Sequence, residues 1–345
     1  MLRSMHVYYP RMVLGVDLFF SEVYRFLPGR RDMHLAVIGT GRVGRPTAYT
    51  LLLTRLFDEI TVVDIKPGLA KAFAEELKHA AVSNRIDVSI YWSEHDEDVS
   101  GADVVVVTAG HPRRPGEKIT RRELVPRNAS IIKYIAEVVP PRNRGARYII
   151  VTNPVDAMAM LFKKISREEF VISTGTHLET LRFRTRLAED AGVRFTRVEG
   201  WVGGEHGPNA VILWSTVRIN GLPVEEYYHI HGRRLDKKVI ENYVKTISTE
   251  IIDRIGGTEY GPASAFKDIV KAIVLSEDIY LSVAAPTKIP GIGEPVFVSI
   301  PRKLGWMIGD SLYDKLAPEE KEAIHVAARK IYETYQWALK VLGLS

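Results

Sequence analysis

Residues 33–44 read MHLAVIGTGRVG, and this stretch decides the fold. Five residues, His34 to Ile38, form a short apolar run that ends at a glycine. Gly39, Gly41 and Gly44 follow as G-x-G-x-x-G, and helical composition continues through Arg55. A strand, a glycine-rich turn and a helix in that order build a phosphate cradle. The first glycine permits the tight turn, the second lets backbone approach a pyrophosphate, and the third lets helix and strand pack closely. Amides at the helix N-terminus then face the phosphates. Working outward, Glu59 to Val63 reads as a second strand rich in β-branched residues, and it ends at Asp64, 20 residues past Gly44. A carboxylate there accepts hydrogen bonds from ribose hydroxyls and repels a 2′-phosphate, which favours NAD over NADP. Lys66, two residues on, softens that preference.

The alternation continues along the chain. Ala70 to Ala81 has helical composition, and Asp103 to Val107 and Tyr148 to Val151 are apolar runs of the kind buried on both faces of a parallel sheet. The expected fold class is therefore α/β, with a doubly wound parallel sheet binding a dinucleotide over residues 33–153. After Pro154 the rhythm changes. Helical stretches at Glu179–Ala191 and Lys237–Arg254 alternate with strand-like runs at Val211–Ile219 and Val296–Ile300, which predicts an α+β substrate domain over residues 154–345. A C-terminal helix starts at Pro318 with Glu319 and Glu320 at the positive end of its dipole. Its stripe of Ile324, Ala327, Ala328, Ile331, Tyr335 and Leu339 is read as core. Residues 1–32 stand apart as an extension of unknown role, either a peripheral arm or sequence upstream of a start at Met33.

Composition bounds the chemistry. Of 345 residues 46% are hydrophobic and 26% charged, as in a soluble protein large enough for two domains. No apolar run is long enough for a membrane span. The absence of cysteine removes disulfides, thiolate nucleophiles and Cys-type zinc sites. Lys and Arg exceed Asp and Glu by five without forming a long basic run, so neither nucleic acid nor membrane is expected as a partner. His229 and His231 flank Ile230 without a carboxylate partner in sequence, and no metal site is expected. His206 is different. It lies in WVGGEHGPN, residues 201–209, between glycines that leave its imidazole accessible, and its unperturbed pKa of about 6.5 suits proton exchange at neutral pH.

That segment resembles the G-E-H-G stretch of the lactate/malate dehydrogenase family, and five further segments match the family in order. They are TAGHPRRPG at 108–116, TRREL at 120–124 followed by Asn128 and Ala129, VTNPVD at 151–156, LETLRFR at 178–184 and GTEYGP at 257–262. The resemblance covers nearly everything after Met33. It implies an NAD-binding (Rossmann) domain followed by a substrate domain in a cytoplasmic enzyme that assembles as a homodimer or homotetramer. It implies that His206 is the proton acceptor, Arg182 clamps the substrate carboxylate, and Arg121 on a mobile loop polarises the carbonyl. Asn153 would touch substrate and nicotinamide, and Thr258 would lie near the substrate. Gly39, Thr40, Gly41, Val43, Gly44, Asp64, Ala109, Gly110, Asn128 and Val151, with Asn153, would line the NAD site.

One loop position separates substrates in this family, and here it is Arg113. An arginine fork suits the second carboxylate of malate or oxaloacetate, where a glutamine would suit lactate. The alternative is that Arg113 points to water and Arg114 makes the pair. The sequence also departs from the family. The partner of the catalytic histidine is an aspartate there and Glu179 here, one methylene longer. The segment from Gly116 to Arg121 is about two residues longer than usual. Arg122 stands next to Arg121 as a substitute, and His111 is read as a lid-surface residue. Glu179 is expected to reach His206 through a helix shift or a different rotamer. The other readings are a lactate-type or other 2-hydroxy-acid dehydrogenase, and a catalytically weak NAD-binding paralogue.

Overall fold

A computed structural model describes residues 32–111 and 124–344. In chain order, β1 (His34–Ile38), α1 (Gly44–Leu52), β2 (Glu59–Val63), α2 (Leu69–Ser83), β3 (Ser89–Ser93) and β4 (Val104–Val107) form the first half of the sheet and its crossovers. α3 (Val125–Val138), β5 (Arg147–Ile150), α4 (Val155–Ser166) and β6 (Val171–Ser173) form the second. These six strands are parallel and lie in the order β3-β2-β1-β4-β5-β6. The order reverses between β1 and β4. The crevice beyond the carboxyl ends of those two strands is where a doubly wound sheet binds its ligand.

The strands read as continuous apolar runs because both faces of the sheet are covered. Leu35 and Val37 of β1 join a cluster with Leu51, Leu77 and Ile273 on one face. Ala36 and Ile38 join Ile132, Met158 and Tyr335 on the other. Neighbouring residues of one strand thus enter different cores, as the two-residue period requires.

The second half contains α5 (His177–Ala191), β7 (Val198–Glu199), β8 (Val202–Gly204), β9 (Ala210–Ile212), β10 (Arg218–Ile219) and β11 (Leu222–Pro223). α6 (Val224–Ile230), α7 (Lys237–Ile255) and α8 (Tyr260–Leu275) follow, then β12 (Tyr280–Thr287), β13 (Val296–Leu304), β14 (Ile308–Ser311) and α9 (Pro318–Val341). The main sheet does not stop at β6. β12 pairs with it antiparallel through Ala284 and Ser173, and β13, β8 and β9 extend it, with β14 on β13. The single strand expected over Val211–Ile219 is a correction. The chain leaves the large sheet at Ile212, makes a tight helical turn over Trp214–Thr216, and enters a small β11-β10-β7 sheet at Arg218. Periodicity over nine apolar-rich residues cannot show that two different sheets claim the two ends. The C-terminal stripe from Ile324 to Leu339 is buried in full. Residues 1–31 of the N-terminal extension lie outside the described residues.

Candidate active site

The crevice is built first by its turns. Gly39 donates its N–H to the Val63 carbonyl at 2.7 Å, which ties the end of β1 to the end of β2. Its φ of +93° suits glycine, and an added Cβ would stand 2.6 Å from the Ala109 nitrogen. A Cβ on Gly44 would lie 1.8 Å from the Gly39 carbonyl oxygen, so α1 can start this close to β1 only with glycine there. At Gly41 a Cβ would meet nothing within 4 Å among the described residues beyond its chain neighbours, and the backbone is open on that side. The three glycines therefore do two jobs, close packing at Gly39 and Gly44 and an open approach at Gly41.

Asp64 ends β2 as expected. Its Oδ2 accepts from the Thr40 N–H at 2.8 Å and from Thr40 Oγ1 at 3.2 Å, and its Oδ1 accepts from the Lys66 N–H at 3.0 Å. A carboxylate accepts about four hydrogen bonds, so capacity remains on Oδ1 for a hydroxyl donor. Thr40 is buried and serves the turn through Asp64. Val43 is half-buried and packs near Leu178 and Phe266.

On the opposite wall Asn128 joins two loops. Its Oδ1 accepts the His111 N–H at 2.7 Å, and its Nδ2 donates to the Asn153 carbonyl at 2.7 Å. Thr152 Oγ1 donates to the Ala109 carbonyl at 2.6 Å. Gly110 is exposed beside them, and a Cβ there would stand 2.7 Å from Thr152 Cγ2. Val151 and Asn153 are half-buried, and the Asn153 side-chain oxygen is buried with no hydrogen-bond partner among the described residues. An orphaned acceptor costs free energy unless a donor reaches it. With the open backbone at Gly41 and the remaining capacity of Asp64, it makes this crevice fit a dinucleotide from its pyrophosphate to its amide end.

The chemical end lies where α5 meets β8. Thr176 and Glu179 stand at the spacing of a capping box, but neither side chain caps the helix. Thr176 Oγ1 donates instead to the Val202 carbonyl, and the Val202 N–H donates to Thr180 Oγ1 at 3.0 Å. Thr176, just before α5, and Thr180 within it thus pin β8 and bring His206, just past that strand, over the first turn of the helix. There His206 Nδ1 lies 3.0 Å from Glu179 Oε2. Glu179 Oε1 lies 3.4 Å from Arg182 Nη1, one helical turn on. The extra methylene of glutamate is taken up by turning the side chain away from the cap position toward the imidazole. The His206 side chain keeps 14% of its exposure, and Glu179 keeps 4%. The histidine is open to a small molecule, and its carboxylate partner is shielded. Thr258 is half-buried in the turn between α7 and α8. Arg113 and Arg121, with Arg114 and Arg122, lie outside the described residues.

One site residue went unnoticed in the sequence although it stood in a quoted motif. Asp156, in the first turn of α4, accepts the His206 backbone N–H on Oδ2 at 3.0 Å and the Ser173 hydroxyl on Oδ1 at 2.5 Å. Burial raises its pKa from the ordinary 3.8 to about 6, against the lowering effect of these two donors. The folded chain therefore holds more protons than the unfolded one between those values, and stability falls as pH rises through that window. Asp156→Asn keeps an acceptor for the His206 amide and removes the ionisation. The stability difference between variant and wild type should shift toward the variant by about 2 kcal/mol from pH 4 to pH 7. Urea unfolding at both values checks this, and a difference independent of pH would contradict it.

Residues 33–170 match the lactate/malate dehydrogenase NAD-binding domain, and residues 176–337 match the α/β C-terminal domain of the same family. The chain is 40% identical over 311 residues to a malate dehydrogenase of Sulfurisphaera tokodaii, covering 90% of this chain and 98% of that one. It is 35% identical over 322 residues to an L-lactate dehydrogenase of Thermus aquaticus, covering 90% and 100%. Among solved structures, the malate dehydrogenase of Cryptosporidium parvum superposes with a TM-score of 0.83 at 26% identity, covering 90% of this chain and 100% of that one. Fold, crevice and relatives define an NAD-dependent 2-hydroxy-acid dehydrogenase. The chain belongs to the lactate/malate dehydrogenase family. No helix among the described residues is long and apolar enough to cross a membrane.

Proposed function

We propose that the protein is an NAD-dependent malate dehydrogenase in which His206 exchanges the hydroxyl proton. The observation that carries the chemistry is the 3.0 Å pairing of His206 Nδ1 with the shielded Glu179 carboxylate. With Nδ1–H donated to that carboxylate, Nε2 is a bare acceptor for the hydroxyl proton of malate. Bound NAD supplies the hydride acceptor. Glu179 holds the ring orientation and stabilises the imidazolium once the proton has arrived. In the reverse direction His206 returns the proton to the oxygen of oxaloacetate.

Arg182 is on the same face of α5 as Glu179 and clamps the 1-carboxylate. Asn153 offers its orphaned oxygen to substrate or cofactor. Gly39, Thr40, Gly41, Val43, Gly44, Asp64, Ala109, Gly110, Asn128 and Val151 hold the NAD. Thr258 stands beside the substrate, and Arg121 on the loop polarises the carbonyl. The second carboxylate goes to Arg113, and this assignment separates malate from lactate. Relatives of 40% and 38% identity named malate dehydrogenase support it. A site that leaves a buried cation unpaired rejects the smaller acid strongly. A cytoplasmic homo-oligomer, dimer or tetramer, completes the reading.

The test mixes purified protein and NADH with oxaloacetate or pyruvate, with NADPH in parallel, and follows loss of the reduced nicotinamide. A kcat/KM ratio favouring oxaloacetate by more than about 100-fold is expected. Preference for pyruvate reassigns the chain to lactate. No turnover with either, despite NADH binding, makes it a non-catalytic paralogue.

A further inference from the structure

The glycine-rich turn carries one side chain to which the reading above gives no role, Arg42. Arg42 follows Gly41 and keeps 47% of its side-chain exposure, yet it reaches across to the turn between α7 and α8. Its Nη1 donates to Glu259 Oε1 at 2.5 Å and to the carbonyl of Ile255, the last residue of α7, at 3.4 Å. Two consecutive glycines lie against it. A Cβ on Gly257 would stand 2.5 Å from Arg42 Cδ, and a Cβ on Gly256 would stand 3.2 Å from Nη2. Gly256 also closes α7 with a φ of +83°. The turn is thus shaped around the arginine stem, and both neighbours of Thr258 in the chain touch Arg42. A half-exposed ion pair stabilises a fold by about 0–1 kcal/mol, so global stability does not account for so specific a seat.

We infer that Arg42 is a positioning residue that latches the Thr258 turn onto the pyrophosphate-binding turn, so that one side chain couples the cofactor and keto-acid sites. The inference rests on the reading of Thr258 as a substrate neighbour and of residues 39–44 as the pyrophosphate turn. Cofactor that orders the glycine turn also sets Thr258, through Arg42 and Glu259. By linkage, keto acid then strengthens cofactor binding to the same extent. Glu259 neutralises the guanidinium, which makes the latch a mechanical link rather than a phosphate ligand. The reading and the latch fail in different ways. If wild-type protein turns over neither keto acid, the reading fails, and the latch with it.

With a turnover-competent wild type, Arg42→Ala, Arg42→Lys, Glu259→Gln and the Arg42→Ala/Glu259→Gln pair are compared. The measurements are kcat and KM for the keto acid at saturating NADH, and the NADH Kd by fluorescence. The latch predicts a fall of about 10- to 100-fold in kcat/KM for the keto acid in Arg42→Ala and in Glu259→Gln. The combined variant should be no worse than either single one. NADH Kd should stay within about two-fold of wild type, as befits an arginine already neutralised by its partner. Arg42→Lys should recover part of the loss, because an ammonium reaches Glu259 without the second donor to Ile255. Weakened NADH binding with an unchanged keto-acid KM would make Arg42 a phosphate ligand and overturn the latch. A silent Glu259→Gln, or additive losses in the combined variant, would overturn it too.

Discussion

Replacing His206 by asparagine is expected to lower kcat by about 10²- to 10⁴-fold, the contribution of a positioned general acid–base. The change is nearly isosteric and keeps the backbone N–H that binds Asp156, so the loop past β8 stays in place. NADH affinity should therefore hold while turnover collapses. Glu179→Gln tests the partner separately. An amide still accepts the Nδ1 proton, so the ring keeps its orientation, but it no longer stabilises the imidazolium. A loss nearly as large as that of His206→Asn is expected, and the double variant should be no slower than His206→Asn alone, because residues that act as a unit do not add. A Glu179→Gln enzyme with wild-type turnover would show that another group orients the histidine.

The second large effect is structural. Gly44→Ala places a methyl 1.8 Å from the Gly39 carbonyl oxygen and 2.7 Å from Thr108 Oγ1, which itself donates to that carbonyl. A methyl has no rotamer by which to escape, and the nearest obstacle is backbone. The first turn of α1 must move away from β1, at a cost of about 3 kcal/mol or more. A lowered midpoint in urea and a weakened NADH affinity are expected together. Gly41→Ala is the counterpart. Its methyl meets nothing within 4 Å among the described residues beyond its chain neighbours, so the stability of the ligand-free chain should change by less than about 0.5 kcal/mol. If a pyrophosphate approaches there, NADH affinity falls all the same. Equal stability losses in both variants would refute this division of labour between the glycines.

The elements most legible in the sequence were those whose pattern is local. β1 and β2 run from His34 to Ile38 and from Glu59 to Val63, as their apolar and β-branched runs predict, because strands covered on both faces are dominated by such residues and each run here ends at a residue of the glycine turn or at Asp64. The glycine spacing and Asp64 were legible for a similar reason. A tight turn and a close helix approach each demand glycine at a set distance along the chain, and the end of β2 places Asp64 beside that turn. Local pattern failed where the partner is distant. Val211–Ile219 reads as one strand, but its ends belong to different sheets. Tyr280–Thr287 and the antiparallel seam that carries the main sheet past β6 depend on pairing with Ser173, more than a hundred residues earlier.

The same boundary runs through the site. The sequence by itself determined the chemistry on offer: an accessible histidine among glycines, a carboxylate and an arginine one helical turn apart, a dinucleotide turn, and no thiol. Only the tertiary structure decided which of these groups meet. Whether Glu179 could replace a shorter acid depended on Thr176 and Thr180 pinning β8 against α5, which sets the imidazole 3.0 Å from the carboxylate. Asp156 became part of the site because burial under the His206 loop gave it an amide to hold, and Arg42 because Gly256 and Gly257 make room for it. Residue type and spacing are properties of the chain, whereas a hydrogen bond is decided within a few tenths of an ångström by the packing of elements far apart in sequence.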